Sequence, residues 1–112
     1  MKRVEAVVRT SKLDEIVNRL HLIGTNGLTV TEVHGMSAST TTVTVVHGHR
    51  MQQFAAPRYQ IMTVVRDEDA AHVVAAILRT AHTGSPGDGI ITVADVLGVM
   101  RIRTNEVDDD AV

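Results

Sequence analysis

"RYQIMTVVRDEDAAHVVAAILRTAHTGSPGDGIITV", residues 58 to 93, decides the fold. It opens on RYQIMTVV, 58 to 65, a run that reads as a strand. Asp67 then offers a cap for a helix whose apolar face is Val73, Val74, Ile77, Leu78 and Ala81. Gly84 stops it, and IITV, 90 to 93, is a second strand. The segment is therefore one β-α-β unit.

The N-terminal part repeats it. Residues 3 to 9 alternate, with Val4, Ala6 and Val8 on one face. Ser11 offers an N-cap, and Asp14 and Glu15 fall in the first turn, where negative charge suits the helix dipole. Leu13, Ile16, Val17, Leu20 and Ile23 give the spacing of an amphipathic helix. Gly24 is the expected stop, and LTVTEV, 28 to 33, the next strand. Val7-Val8-Arg9 and Val64-Val65-Arg66 each end a strand just before a helix, a faint internal repeat. Two such units predict an α+β chain, a ferredoxin-like βαβ-βαβ sandwich. Both helices then cover one face of the sheet, and a homo-oligomer covers the other most simply. MRIR, 100 to 103, reads as a short last strand. Between strands 2 and 3 lies a long loop, residues 36 to 58, rich in hydroxyls and without Asp or Glu. A loop of that length commonly carries function.

The chain has 112 residues, which suits a single domain over 1–112. A hydrophobic content of 44% excludes compositional disorder, and the absence of cysteine excludes disulfide and thiolate chemistry. Neither an apolar leader nor a span of about 18 apolar residues is present, so a soluble, cytoplasmic protein without membrane insertion is expected. The net charge of −2, with Phe54 and Tyr59 the only aromatics, gives nucleic acid no reason to bind. The run Asp108–Asp110 reads as a solvated tail within 104–112.

Three motifs bear on chemistry. TGSPGDG, 83 to 89, places three glycines and a proline in seven residues. Gly87 and Gly89 can take positive φ, which turns successive N–H groups toward an anion. Asp88 can hold that turn or accept from a ligand hydroxyl. No Gly-Lys-Ser/Thr follows, and taken alone the spacing favours a plain Asx-type turn. Arg101 and Arg103 fall on one side of a strand and so can grip one phosphate; taken alone they equally guard a sheet edge. His47-x-His49 lacks a third ligand nearby, so no metal is predicted. No base–nucleophile pair identifies an enzyme.

In order and spacing, Lys12-Leu13-Asp14-Glu15, Gly27 to Val33 with Gly35, Asp67-Glu68-Asp69, Thr83-Gly84 with Gly87-Asp88-Gly89, and Arg101 to Thr104 closely resemble the PII signal-transduction family. The likeness covers nearly the whole chain. It implies a homotrimer with an adenine nucleotide in each cleft between subunits; with Ala38 and Ile90 where the family has cations, ADP or AMP is expected ahead of ATP. Gly87, Asp88 and Gly89 would form the phosphate turn, Arg101 and Arg103 its clamps, and Thr29, Gly35 and Val64 the adenine and ribose side. Residues 36–58 would be the T-loop that signals to a target protein, such as a transporter or metabolic enzyme.

The departures are as informative. Met51 stands where the family usually has a tyrosine that some members uridylylate. Ala38 replaces an arginine, and Ser39 a glutamine that helps hold the Mg²⁺ of 2-oxoglutarate binding. Arg58 replaces a lysine that meets 2-oxoglutarate, and Ile90 a lysine that contacts phosphate. The resemblance thus implies a regulator, not an enzyme, whose nitrogen-sensing parts are altered. Arg50 and Arg58 in an acid-free loop suit a small anion such as bicarbonate. The competing expectation is a metal- or stress-related trimer of the same architecture without nucleotide.

Overall fold

A computed structural model describes residues 1–36, 42–53 and 55–112, with backbone alone over 42–46, 50–53 and 55. The elements run β1 (Lys2–Arg9), α1 (Leu13–Leu22), β2 (Thr29–Met36), β3 (Thr42–Val46), β4 (His49–Gln53), β5 (Ala55–Val65), α2 (Asp67–Ala81) and β6 (Ile90–Asp95). Four strands form one antiparallel sheet in the order β2-β5-β1-β6. With a helix after β1 and another after β5, this is the ferredoxin-like α+β arrangement expected from the doubled β-α-β pattern.

The alternation in β1 does what its period requires. Val4, Ala6 and Val8 are each 1% exposed and face the helices. Ile61 and Val65 of β5 join them, and Ile16 and Leu20 of α1 and Ala70, Val73, Ile77 and Ala81 of α2 close the core from above. Arg3, Glu5, Val7 and Arg9 occupy the opposite, helix-free side of β1. No helix among the described residues is long and apolar enough to cross a membrane.

Several local expectations are corrected. Ser11 does not cap α1: a 3₁₀ turn, Thr10–Lys12, precedes the helix, and Lys12 makes no capping bond through its side chain. Asp67 lies in the first turn of α2 rather than at its cap, and its carboxylate accepts from the Met1 ammonium group at 2.7 Å. That helix ends at Ala81, three residues before Gly84. By contrast, Gly24 does close α1: φ is +90°, and Gly24 and Thr25 donate backward to His21 and Leu20.

The segment 36–58 contains structure of its own. β3 and β4 pair as a separate two-stranded hairpin, turned at His47 (φ 51°) and Gly48 (φ 78°), both in the left-handed region that a tight hairpin turn needs. β5 starts at Ala55, three residues earlier than its apolar pattern suggests. The expected strand at 100–103 is a turn instead: Asn105, with φ 60°, donates to the Arg101 carbonyl, and Met100 bridges to Val107. The acidic tail is not simply solvated. Asp108–Asp110 form a 3₁₀ turn, Arg66 donates to the Asp109 carbonyl, and Ala111 is buried.

Candidate functional site

The glycine turn is built around one carboxylate. Asp88 accepts from the Thr83 hydroxyl, from the Thr83 and Gly84 amides at 2.8 and 2.9 Å, and from Arg9 Nε at 3.1 Å. Both of its oxygens are therefore engaged in holding residues 83–89. The Thr83 hydroxyl foremost, then the two amides, hold its carboxyl well below the usual carboxylate range. Arg9 ties the other side of the turn through Nη2, which donates to the Pro86 carbonyl at 2.8 Å.

The sign of the pH effect follows. A carboxyl with a depressed folded pKa contributes stability above its ordinary value near 3.8 and loses it as the pH falls toward the folded value. Asp88→Asn should therefore destabilise most at neutral pH. Its deficit against the unmodified chain should shrink below about pH 4. Urea midpoints of both proteins at pH 7 and pH 3 test this; a deficit of equal size at both would mean that the charge on Asp88 is not what holds the turn.

The glycines at this turn have separate reasons. Gly89, at φ +98°, lies so close to β1 that a Cβ would stand 1.7 Å from the Val7 carbonyl oxygen. Gly87, at φ +100°, faces two guanidiniums, with Arg58 Nη2 2.9 Å and Arg9 Nη2 3.3 Å from the position of its absent Cβ. Gly35 makes room for the stem of Arg58, whose Cγ would lie 3.2 Å from a Cβ there. Gly35, Arg58 and Gly87 to Gly89 thus gather at one place.

A second group gathers elsewhere. Thr29, Val64 and Arg101 line a cleft of about 940 Å³, together with Gly27, Met62 and the C-terminal Ala111. Arg101 Nη2 donates to the Ala111 carbonyl at 2.8 Å, so the returning tail orients it. Arg103 is exposed on the adjoining turn and is not part of the cleft lining. The strand expected to carry Arg101 and Arg103 on one side is thus a turn, and of the two it is Arg101 that lines the cleft.

The two groups sit at opposite ends of the sheet. Arg58 and Arg9 are register partners at one end of β5 and β1, while Val65 meets Lys2 at the other. From Arg58 to Val64 is six residues along β5, roughly 20 Å of extended chain. One chain does not bring the glycine turn and Arg101 around the same small ligand.

Ala38 and Ser39 lie outside the described residues, and Arg50 and Met51 sit on β4, where the description is of backbone. The sequence alone does not single out Arg9. Its signal is the pairing of β1 with β5, which places it opposite Arg58 and is invisible in either strand alone.

Fold and site together define a ferredoxin-like chain with a carboxylate-held glycine turn at one end of its sheet and an arginine-bearing cleft at the other. The family model for "Nitrogen regulatory protein P-II" matches residues 1–106, and the chain belongs to that family. It is 38% identical to "Nitrogen regulatory protein P-II" of Pasteurella multocida (strain Pm70) over 112 residues, the full length of both chains. It is 39% identical, again over both full lengths, to "Nitrogen regulatory protein P-II" of Klebsiella oxytoca and to "Nitrogen regulatory protein P-II 1" of Escherichia coli (strain K12). Proteins of this family are regulators that act on target proteins, not enzymes; they are generally trimeric and bind adenine nucleotides.

Proposed function

We propose that this chain binds an adenine nucleotide, ADP or AMP in preference to ATP, in clefts between the subunits of a homotrimer, and signals occupancy to a target protein through residues 36–58. The observation that carries this reading is the separation of the two residue groups. Gly35, Gly87, Asp88 and Gly89 stand at one end of the sheet, and Thr29, Val64 and Arg101 at the other. Each is half of a site, and a neighbouring copy is the simplest source of the missing half. Arg103 belongs to the second half as a cation on the turn beside Arg101. In this arrangement Asp88 serves the ligand by holding the turn.

The helix-free face of the sheet, with Val7 and Val64 half buried, is the surface a partner copy would cover. Occupancy would bias the hairpin β3–β4 and the segment around it, which leave the sheet between β2 and β5. Arg58, at the base of an acid-free segment, makes a small oxyanion such as bicarbonate a candidate co-ligand and inorganic-carbon metabolism a candidate setting, with Arg50 the second cation. Ser39 and Met51 argue against Mg·ATP-dependent 2-oxoglutarate binding and against uridylylation.

Light scattering at micromolar concentration should give about three times 12.1 kDa. Calorimetry on the same material should show ADP binding, with no added heat from 2-oxoglutarate in the presence of Mg²⁺ and ATP. A monomer that binds ADP would remove the inter-subunit cleft. A trimer that binds no adenine nucleotide would remove the ligand.

A further inference from the structure

Arg66 stands at the N-cap of α2, where its carbonyl accepts from the Asp69 amide at 3.0 Å. Its side chain caps nothing there. Among the described residues it forms no ion pair either, although Asp67, Glu68 and Asp69 follow it directly. Instead the guanidinium reaches 43 positions along the chain to the Asp109 carbonyl, donating through Nε at 3.3 Å and Nη2 at 3.0 Å. Two residues further on, the Ala111 carbonyl accepts from Arg101 Nη2 at 2.8 Å. One arginine thus holds the segment 108–111, and that segment in turn holds another arginine.

The backbone between the two clasps is tightly determined. The Asp108 amide donates to the Val99 carbonyl at 2.8 Å, and Asp108 Oδ1 accepts from the Val99 amide at 3.3 Å. The Ala111 amide donates to the Asp108 carbonyl at 2.8 Å, and Ala111 is buried. Asn105 at φ 60° and Asp108 at φ 52° take left-handed conformations, which cost a residue with a side chain. Such a path persists only where its surroundings over-determine it. Arg66, Arg101 and Ala111 border the same cleft, so this strap is one of its walls.

Both clasps end on neutral carbonyl oxygens. An arginine paired with a carboxylate has its charge balanced, whereas one that donates to a carbonyl is fixed in place and keeps its charge. Arg101 is held in the second way. A guanidinium has several N–H donors, so a bond to the strap leaves others to meet a ligand.

We propose that Arg66 is a positioning residue of this cleft: by clasping the strap 108–111 it fixes the carbonyl that aims Arg101, and so strengthens the binding of an anionic ligand. The identity of that ligand, ADP, rests on the nucleotide reading above; the clasp does not. A long side chain that is ordered beforehand loses less freedom on binding, a gain of roughly three- to ten-fold in affinity. By linkage, a ligand held by Arg101 must tighten the strap in return.

The test compares the full chain, labelled with ¹⁵N, with Arg66→Gln, Arg66→Lys and Asp108→Ala. Asp108→Ala loosens the strap at its base and lies outside the cleft lining. Without ligand, Arg66→Gln should speed hydrogen exchange at the Ala111 amide by about ten-fold or more and shift the Arg101 Nε signal. Exchange at Val4 and Ala6 in the core should stay as it was, which shows that the fold is intact. In calorimetry both Arg66→Gln and Asp108→Ala should weaken ADP by roughly three- to ten-fold and adenosine by less than about two-fold. Arg66→Lys should recover only part of the loss, since an ammonium group lacks the fork that makes both bonds. ADP should slow Ala111 exchange in the unmodified chain. If Arg66→Gln unfolds, Asp108→Ala decides. Unchanged ADP binding in a variant whose Ala111 exchange is fast would overturn the proposal. Tighter ADP binding would overturn it too, making the strap an obstruction, as would equal losses for ADP and adenosine. If the unmodified chain binds neither ADP nor adenosine, the nucleotide reading fails and the ligand-free arm decides the clasp. An Arg101 Nε signal indifferent to Arg66→Gln then overturns it, and a shifted one upholds it.

Discussion

Gly89→Ala should destabilise the fold by about 3 kcal/mol or more. Two costs coincide there. The backbone is at φ +98°, where a side chain is strained, and the new methyl carbon would stand 1.7 Å from the Val7 carbonyl oxygen. The carbonyl belongs to backbone at the centre of the sheet, so it has no rotamer by which to escape. Relief requires β6 to move away from β1, against the ladder that pairs Val7 with Ile90 and Ala6 with Ile91. Gly24→Ala is the control. It has a similar φ of +90° with nothing within 4 Å, so it should cost only the conformational term, about 1–2 kcal/mol. Urea midpoints at one fixed protein concentration compare the two fairly, since assembly makes stability concentration-dependent. Equal losses would show that the close approach to Val7 is readily relaxed.

ADP is expected to bind at least as tightly as ATP, the missing cations costing ATP up to about ten-fold. A triphosphate brings more charge and needs more cations to leave water without loss. In the proposed cleft the available ones are Arg101 and Arg103 from the neighbouring copy, since Arg9 is engaged with Asp88 and the Pro86 carbonyl. Ala38 and Ile90 supply none. A missing charge-assisted bond is worth about 1.5–3 kcal/mol, and 1.4 kcal/mol is already ten-fold in affinity. Calorimetry with AMP, ADP and ATP, with and without Mg²⁺, measures the order. ATP ten-fold tighter than ADP would refute this account of the charges and point to Arg50 as the additional cation.

Much of this architecture is visible in the chain because both helices and the central strands obey strong periods. Val4, Ala6 and Val8 alternate, and Ile16 with Leu20 and Val73 with Ile77 recur four apart, so the buried faces declare themselves. The hairpin at 42–53 is less legible. It forms a two-stranded sheet separate from the main one, so the periods of the main sheet do not signal it, and the His47-Gly48 turn marks where it reverses. Arg101 to Arg103 resembles a strand locally, yet Asn105 takes a left-handed conformation and closes a turn over it. Of the site, the glycines at 87 and 89 are legible because few other residues tolerate their backbone. The Arg9–Arg58 pair is not, since strand register is a property of two segments and neither records the other. Nor does the sequence reveal that the two halves lie at opposite ends of one sheet.

That last separation has a genetic consequence. If each cleft draws one half from each of two neighbours, a defect in the glycine turn and a defect at Arg101 spoil different walls of it. Two inactive chains carrying one defect each, produced together, would assemble some clefts from two intact walls and some from two broken ones. The mixture would regain part of the activity that neither chain has alone, whereas both defects in a single chain, mixed with nothing, would regain none. Inheritance of such alleles would then follow the pairing of subunits rather than the dose of either one.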